Sequence, residues 1–492
     1  MLAKRLLSAY LVSTIMVGTA CAEDTATLNG PIDTRMGRIE LQGGYPDAQS
    51  VGKIYDEIDF QRASQAYIWA TPIVSMEALR LGNKRDWGVD YNDVGLVDGY
   101  TTPAVGALTG NNTTIYAGIF TDLGRDGPVV IDSPIGVYGV IDDFWQRPVV
   151  EVGPFGPDKG KGGKFLLLPP AYTGPVPAGY LPARSKTNQT FFIGRSFVKD
   201  GDIKTAVDTL ARLKVYPLSK ADNPPETRIL KAGSKPMDSI PPSGFDYWKL
   251  LSGALDKEPV EERDRFFHAM LKPLGLEKGK PFAPDDRQRK LLADAAQVGF
   301  LMAQITSMAP RLANAPSYPG THWEWVLTLK PDQEAAGYTE LDERTDYTFE
   351  AITVADGMIK KIPGAGSQYM SAAKDKEGEW LEGGKAYTLH VPADVPAKEF
   401  WAVTVYDAMT RSMIKTDAMK AGVSSHDELV PNPDGSIDVH FGPKSPEKDK
   451  NWVKTLPGRG WFAYFRWYGP TEKFFDKSWS CRISSLNCSV NA

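Results

Sequence analysis

Two stretches of this 492-residue chain place hydrogen-bonding and charged side chains at alternate positions, where a β-strand turns them to one face. In the first the stripe is Asn112, Thr114 and Tyr116; in the second it is Phe462, Tyr464, Arg466 and Tyr468. A third run, Phe191, Ile193 and Arg195, carries a guanidinium into an apolar setting, which calls for a carboxylate partner or a ligand. The chemistry on offer is recognition, because a cation among aromatic rings either stacks within a fold or holds an anionic or planar ligand. Each buried polar group left unpaired costs about 1–3 kcal/mol, so the stripes must satisfy one another or face a cavity. The expected site is a pocket with Asn112, Thr114 and Tyr116 as its polar wall. Arg195 or Arg466 would hold a negative group, and Trp401 and Trp452 would supply apolar walls. No catalytic residue is nominated.

Signatures of other chemistry are missing. The chain has no G-x-S-x-G elbow, H-E-x-x-H helix, phosphate-binding loop or dinucleotide fingerprint, so no cofactor is expected. Gly153 to Gly163 is rich in glycine but lacks the flanking strand and helix of a phosphate cradle, and reads as a surface loop. Ser412-x-x-Lys415 follows a strand pattern, whereas the serine nucleophile it resembles in letters starts a helix. The five histidines include His322 two residues before Glu324, but no second imidazole stands at a matching spacing, so no metal is expected. His268 follows Phe266 and Phe267 and reads as a core-edge residue.

The elements that must position the stripes follow from pattern. Hydrophobic residues make up 42% and charged residues 24%, a globular profile, and the length calls for more than one core. Residues 1–22 have a basic start at Lys4 and Arg5, an apolar run Leu6 to Val17 and the small-residue site Ala20-Cys21-Ala22, the parts of a secretory signal. The run is too short to span a bilayer, and no later segment is long and uncharged enough. The expectation is an exported, periplasmic location with no membrane span; whether Cys21 is lipid-modified is left open. Cleavage after Ala22 removes Lys4 and Arg5, taking the net charge from −5 to −7 and disfavouring nucleic acid as a partner. It also leaves Cys481 and Cys488 as the only cysteines, close enough to expect a disulfide in an oxidising compartment. Residues 23–52 read as an extended leader. Residues 53–85 read as two helices, the second starting at Thr71-Pro72 and ending at Gly82. Residues 86–235 show short strand-like runs (113–120, 128–132, 137–144, 165–168 and 190–198), a sandwich or barrel signature. Residues 236–318 return to helical period with three helices, and residues 319–492 turn to β again, strongest at 400–407 and 461–468. Asp434-Gly435 reads as a hairpin turn.

At these residues the sequence resembles a pair of bacterial families, domain of unknown function twelve fifty-four followed by domain of unknown function twelve fourteen. The resemblance covers about 54–479. In the first domain it rests on Thr71-Pro72, on Asn111-Asn112-Thr113-Thr114-Ile115-Tyr116, on Phe165 to Pro169, and on Thr187 followed by Ile193-Gly194-Arg195. In the second it rests on Phe400 to Asp407, Asp434-Gly435-Ser436, Asn451-Trp452 and Arg466-Trp467-Tyr468-Gly469-Pro470. Thr113 stands where the family has an acid, so no role of that carboxylate carries over. The resemblance implies a mainly β fold with α: an N-terminal β-sandwich, an intervening helical domain and a jelly-roll-like C-terminal β-sandwich. It implies no reaction. Two readings of function stay open. One is an exported hydrolase or lyase without an organic cofactor, acting on a small organic or glycan-like ligand held between two β domains. The other is a non-catalytic ligand-binding or envelope-associated protein. The oligomeric state is not legible.

Overall fold

The computed structural model describes residues 29–198, 201–233, 235–446 and 450–485; the signal expected over residues 1–22 lies outside them. The chain divides into two compact units, residues 1–59 and 60–492. In the first, the stretch expected as an extended leader instead forms an antiparallel sheet of Gly30–Thr34, Gly37–Gln42 and Tyr45–Pro46. Its side chains are mostly exposed, with Ile39 the buried exception, so no apolar alternation marks it in the sequence. Asp47 then accepts a hydrogen bond from the Ser50 N–H at 2.7 Å and caps the helix that follows.

That helix, Ala48–Gly82, is a single element of 35 residues, where two helices were expected to divide at Thr71-Pro72. Pro72 sits inside it and cannot donate to the Ile68 carbonyl four residues back. The Thr71 hydroxyl donates to that carbonyl instead at 3.1 Å. The freed acceptor is satisfied, and the helix continues.

The second unit holds two β-sandwiches with helices packed around them. The first sandwich pairs a six-stranded sheet with a four-stranded one. In order, the six strands are Ile229–Lys231, Val94–Leu96, Ile115–Asp122, Gln189–Ser196, Tyr138–Asp143 and Pro148–Val152. The four are Leu181–Arg184, Gly163–Leu168, Val129–Ser133 and Lys214–Pro217. Alternation sends Ile115, Ala117, Ile119, Ile141 and Phe192 inward against Ile131, Phe165, Leu167 and Val215. The other face of the six-stranded sheet is left for Tyr116, Gly118, Phe191, Ile193 and Arg195.

The second sandwich pairs a five-stranded sheet (Glu324–Trp325, Ser367–Ala372, Trp461–Pro470, Ala397–Asp407, Gly422–Ser424) with a four-stranded one (Trp452–Lys454, Ile437–Gly442, Tyr387–Val391, Arg482–Ser485). Trp461, Ala463, Phe465 and Trp467 enter its core with Leu389, Val439 and Phe441. Asp434-Gly435 does make a turn, with Gly435 at φ +84° and Ser436 Oγ donating to Asp434 Oδ1 at 2.6 Å. It is not a hairpin, because the strand after it pairs with Tyr387–Val391 and, in parallel, with Trp452–Lys454.

Between the sandwiches the chain forms the three helices expected, Phe245–Lys257, Arg265–Leu271 and Asp286–Met308. The last starts with a capping box in which Asp285 and Gln288 each bond the other's backbone, at 2.7 and 2.9 Å. A fourth helix, Leu341–Glu350, was not expected. It buries Arg344, Asp346 and Glu350 along with Tyr347, so no apolar period announces it. Among the described residues no helix is long and apolar enough to cross a membrane. Cys481 is buried and free; its expected disulfide partner Cys488 lies outside the described residues, and the described structure contains no bridge.

Candidate functional site

The outer face of the six-stranded sheet meets the five-stranded sheet across a cavity of about 680 Å³. Two cross-strand rows form its floor. Register places Tyr116, Arg195 and Tyr138 side by side in the first row. Two residues further along the strands, Gly118, Ile193, Val140 and Glu151 form the second. All of these line the cavity. The opposing wall comes from alternate residues of one strand, Tyr464, Arg466 and Tyr468, with Tyr369 paired beside Arg466.

One end of the cavity is polar. Asn111 Nδ2 donates to Tyr468 Oη at 2.6 Å and to Tyr116 Oη at 3.2 Å, joining the two domains. Its Oδ1 accepts from the N–H and the hydroxyl of Thr113, both at 2.8 Å, which fixes the carboxamide orientation. Arg195 Nη2 donates to Ser367 Oγ at 3.2 Å, and its guanidinium lies over the rings of Phe197 and Tyr468. Arg466 donates from Nη2 to the Thr109 carbonyl at 3.0 Å and from Nη1 to Thr404 Oγ1 at 3.2 Å, among the rings of Tyr369, Tyr406 and Tyr464. Among the described residues neither guanidinium has a carboxylate within 4 Å. A guanidinium does not give up its proton in a protein, so two positive charges share this end. Burial pushes the Tyr116 phenol up to about 12, against the pull of Arg195 and Arg466, and keeps it a neutral donor.

The middle is apolar, lined by Val97, Val140, Phe155, Ile193, Met237 and Met358. At the far edge of the floor stands Glu151. Burial raises its carboxyl to about 7, although the backbone N–H groups of Asp356 and Gly357 bond to it, and Oε1 has no partner among the described residues. Behind the wall, Tyr464 Oη donates to Glu350 Oε1, whose carboxyl burial raises to about 8.

Of the residues the sequence nominated, Tyr116, Arg195 and Arg466 line this cavity, and Asn112, Thr114, Trp401 and Trp452 do not. The first strand begins only at Ile115, so the two-residue period does not extend back over Asn112 and Thr114. Asn112 Oδ1 accepts instead from Thr404 Oγ1 at 3.4 Å, and Thr114 is buried with its hydroxyl unpartnered among the described residues. Trp401 falls on the core side of its strand, in register with Trp467 and packed on Phe465. Trp452 lies on an edge strand of the other sheet and donates from Nε1 to the Gly442 carbonyl at 3.1 Å. Sequence reasoning passed over Asn111, Tyr369 and Glu151. Asn111 stood next to the stripe. Glu151 was legible as the one acid among the valines of Pro148–Val152.

Two β-sandwiches enclosing a cation-bearing cavity define the architecture. Residues 91–217 match the family described as Protein of unknown function (DUF1254), and residues 366–472 match Protein of unknown function (DUF1214). The chain is a tandem domain-of-unknown-function protein. No curated protein matches it. Among solved structures it is similar to the VPA0106 protein from Vibrio parahaemolyticus, with 20% identity and a TM-score of 0.51 over 87% of this chain and 100% of that one. It is also matched to an uncharacterised protein from Burkholderia cenocepacia at 13% identity and a TM-score of 0.40, over 89% and 97% of the two chains. The first likeness concerns the fold alone.

Proposed function

We propose that this protein binds a small organic anion with an apolar body in the cavity between its two β domains. The anionic group sits at Arg195 and Arg466, with Tyr116 and Tyr468 as further donors, and the body lies against Ile193 and Val140. The observation that carries this reading is the pair of guanidiniums at one end of the cavity with no carboxylate among the described residues to neutralise them. A buried cation without a counter-ion is costly, and a ligand carboxylate, phosphate or sulfonate relieves that cost.

Binding is favoured over hydrolase or lyase chemistry by the rest of the lining. Glu151 is half-buried there, while Glu399 and His426 are exposed at the rim. The three do not make an enclosed acid–base pair of the kind proton-transfer catalysis uses. Export, with cleavage after Ala22, belongs to the same proposal and rests on the tripartite start of the chain; N-terminal sequencing of the mature protein checks it.

The test is a thermal-shift and calorimetric screen of carboxylates, phosphates and sulfonates, each beside its neutral ester or amide. The anions should bind and the neutral partners should not. Arg195→Met and Tyr116→Phe should weaken the anions while the melting temperature changes little. Equal binding of anion and ester, or variants that lose several degrees of stability, would sink the reading.

A further inference from the structure

The floor of the cavity has two polar ends, and the proposed anion accounts for one. Glu151 closes the other. It lies on the outermost strand of the six-stranded sheet, in register with Val140, which is in register with Ile193, two residues before Arg195 on the same face. Two strand spacings of about 4.8 Å and one two-residue step of about 7 Å put the Cα atoms of Glu151 and Arg195 about 12 Å apart in the plane of the sheet. Between them stand Ile193 and Val140, with Met358 and Phe155 elsewhere on the lining. A ligand with only an anionic head and an apolar tail would lay hydrocarbon against the half-buried Glu151 carboxyl, whose Oε1 has no partner among the described residues although the Asp356 and Gly357 N–H groups bond to the carboxyl. Burying a carboxyl oxygen without a partner is costly.

Resting on the anion reading above, we infer that the cavity takes a bifunctional organic acid: an anionic head at Arg195 and Arg466, an apolar spacer over Ile193 and Val140, and a distal hydroxyl hydrogen-bonded to Glu151. A hydroxyl suits the position better than an ammonium. It both donates and accepts, so it pairs with the carboxyl in either protonation state, whereas an ammonium pairs only with the ionised form. With the Glu151 carboxyl held near neutrality by burial, both states are populated. The spacing sets the selectivity, because a shorter acid anchored at the arginines would not reach Glu151.

Octanoate and ω-hydroxyoctanoate, titrated into the full-length mature protein by calorimetry, separate the two ideas. The quantity read is the ratio of their Kd values, which does not depend on how stable a variant is. In the wild type ω-hydroxyoctanoate should bind about tenfold tighter than octanoate. In Glu151→Leu the preference should vanish or reverse, and in Glu151→Gln, which keeps the shape and some hydrogen bonding, it should fall between. If Glu151→Leu does not fold, the wild-type ratio together with the Glu151→Gln ratio decides. A wild-type ratio near one, or a preference that survives loss of the carboxyl, overturns the distal hydroxyl while leaving the anion site standing. Failure of both acids to bind the wild type overturns the anion reading, and this proposal with it.

Discussion

Arg147 and Arg466 are equally buried, at 3% and 4% exposed, and the fold treats them in opposite ways. Around Arg147 every charge is answered: Nε meets Asp143 Oδ2 at 2.6 Å, and the two terminal nitrogens meet the Glu261 carboxylate at 2.9 and 2.5 Å. Around Arg466 there are a hydroxyl, a carbonyl and three phenol rings, but no acid among the described residues. Arg195 repeats the second arrangement from the other domain. The difference separates structural charge from charge held ready. A guanidinium clamped by two carboxylates has its charge answered inside the scaffold, while one held in place by neutral groups beside a cavity keeps its field for a ligand. Burial alone does not make the distinction. Among the described residues Arg344 and Arg411 also lack an acid partner, yet neither lines the cavity; they bond the carbonyls of Trp69 and Phe349, and burial lowers them to about 9 and about 10.

The comparison can be broken at several points. The largest effect is expected from Arg147→Met, which leaves Asp143 and Glu261 unpaired. It should lower unfolding stability by about 3–5 kcal/mol in denaturant titration without altering the ligand site. A loss below about 1 kcal/mol would mean that the clamped arginine is no more structural than the free ones.

Next comes the acid-side counterpart. Glu350 is raised to about 8 from its ordinary 4.5 by burial, even though Tyr464 donates to it. The folded state therefore prefers the protonated form. Its contribution is fully present below about 4.5 and is lost as pH rises through about 8, with a total on the order of a few kcal/mol. Melting curves between those limits should show the decline, and Glu350→Gln should make it shallower, with Glu151, Glu258 and Glu324, each raised to about 7, supplying the remainder.

A smaller effect is expected at Asn111→Ala. The substitution releases the phenols of Tyr116 and Tyr468 and should cost about 1–2 kcal/mol, while weakening any anion held at that end. The smallest stability change should come from Arg195→Met. It removes one weak hydrogen bond and two ring contacts but also one of two like charges, so the net should stay within about 1 kcal/mol while anion binding falls by tenfold or more.

Much of this molecule was written locally. The strands at 115–122, 189–196 and 461–470, the three helices between 245 and 308, and the stripe Tyr464, Arg466, Tyr468 all follow from the period of the side chains. That period also gave Arg195 and Tyr116 to one face of their strands. Where it failed, the residues explain why. Leu341–Glu350 is a helix whose buried face is polar, Gly30–Gln42 is a hairpin exposed on most of its surface, and Thr71 repairs the break that Pro72 would otherwise cause. None of these leaves an apolar trace to read.

The amino-acid sequence by itself determined which side chains share a face, because alternation along a strand is a property of neighbours. Only the tertiary structure decided which faces meet. Asn111 and Tyr468, 357 residues apart, become hydrogen-bonded because the loop before one strand is pressed against another sheet. That same docking left Arg195 and Arg466 at one end of a cavity and Glu151 at the other, raised toward neutrality by burial. Trp401 is core within its own sandwich, in register with Trp467 and packed on Phe465, because alternation turns it to the face opposite the cavity. Desolvation and convergence are consequences of what lies across the gap, and no local pattern encodes them.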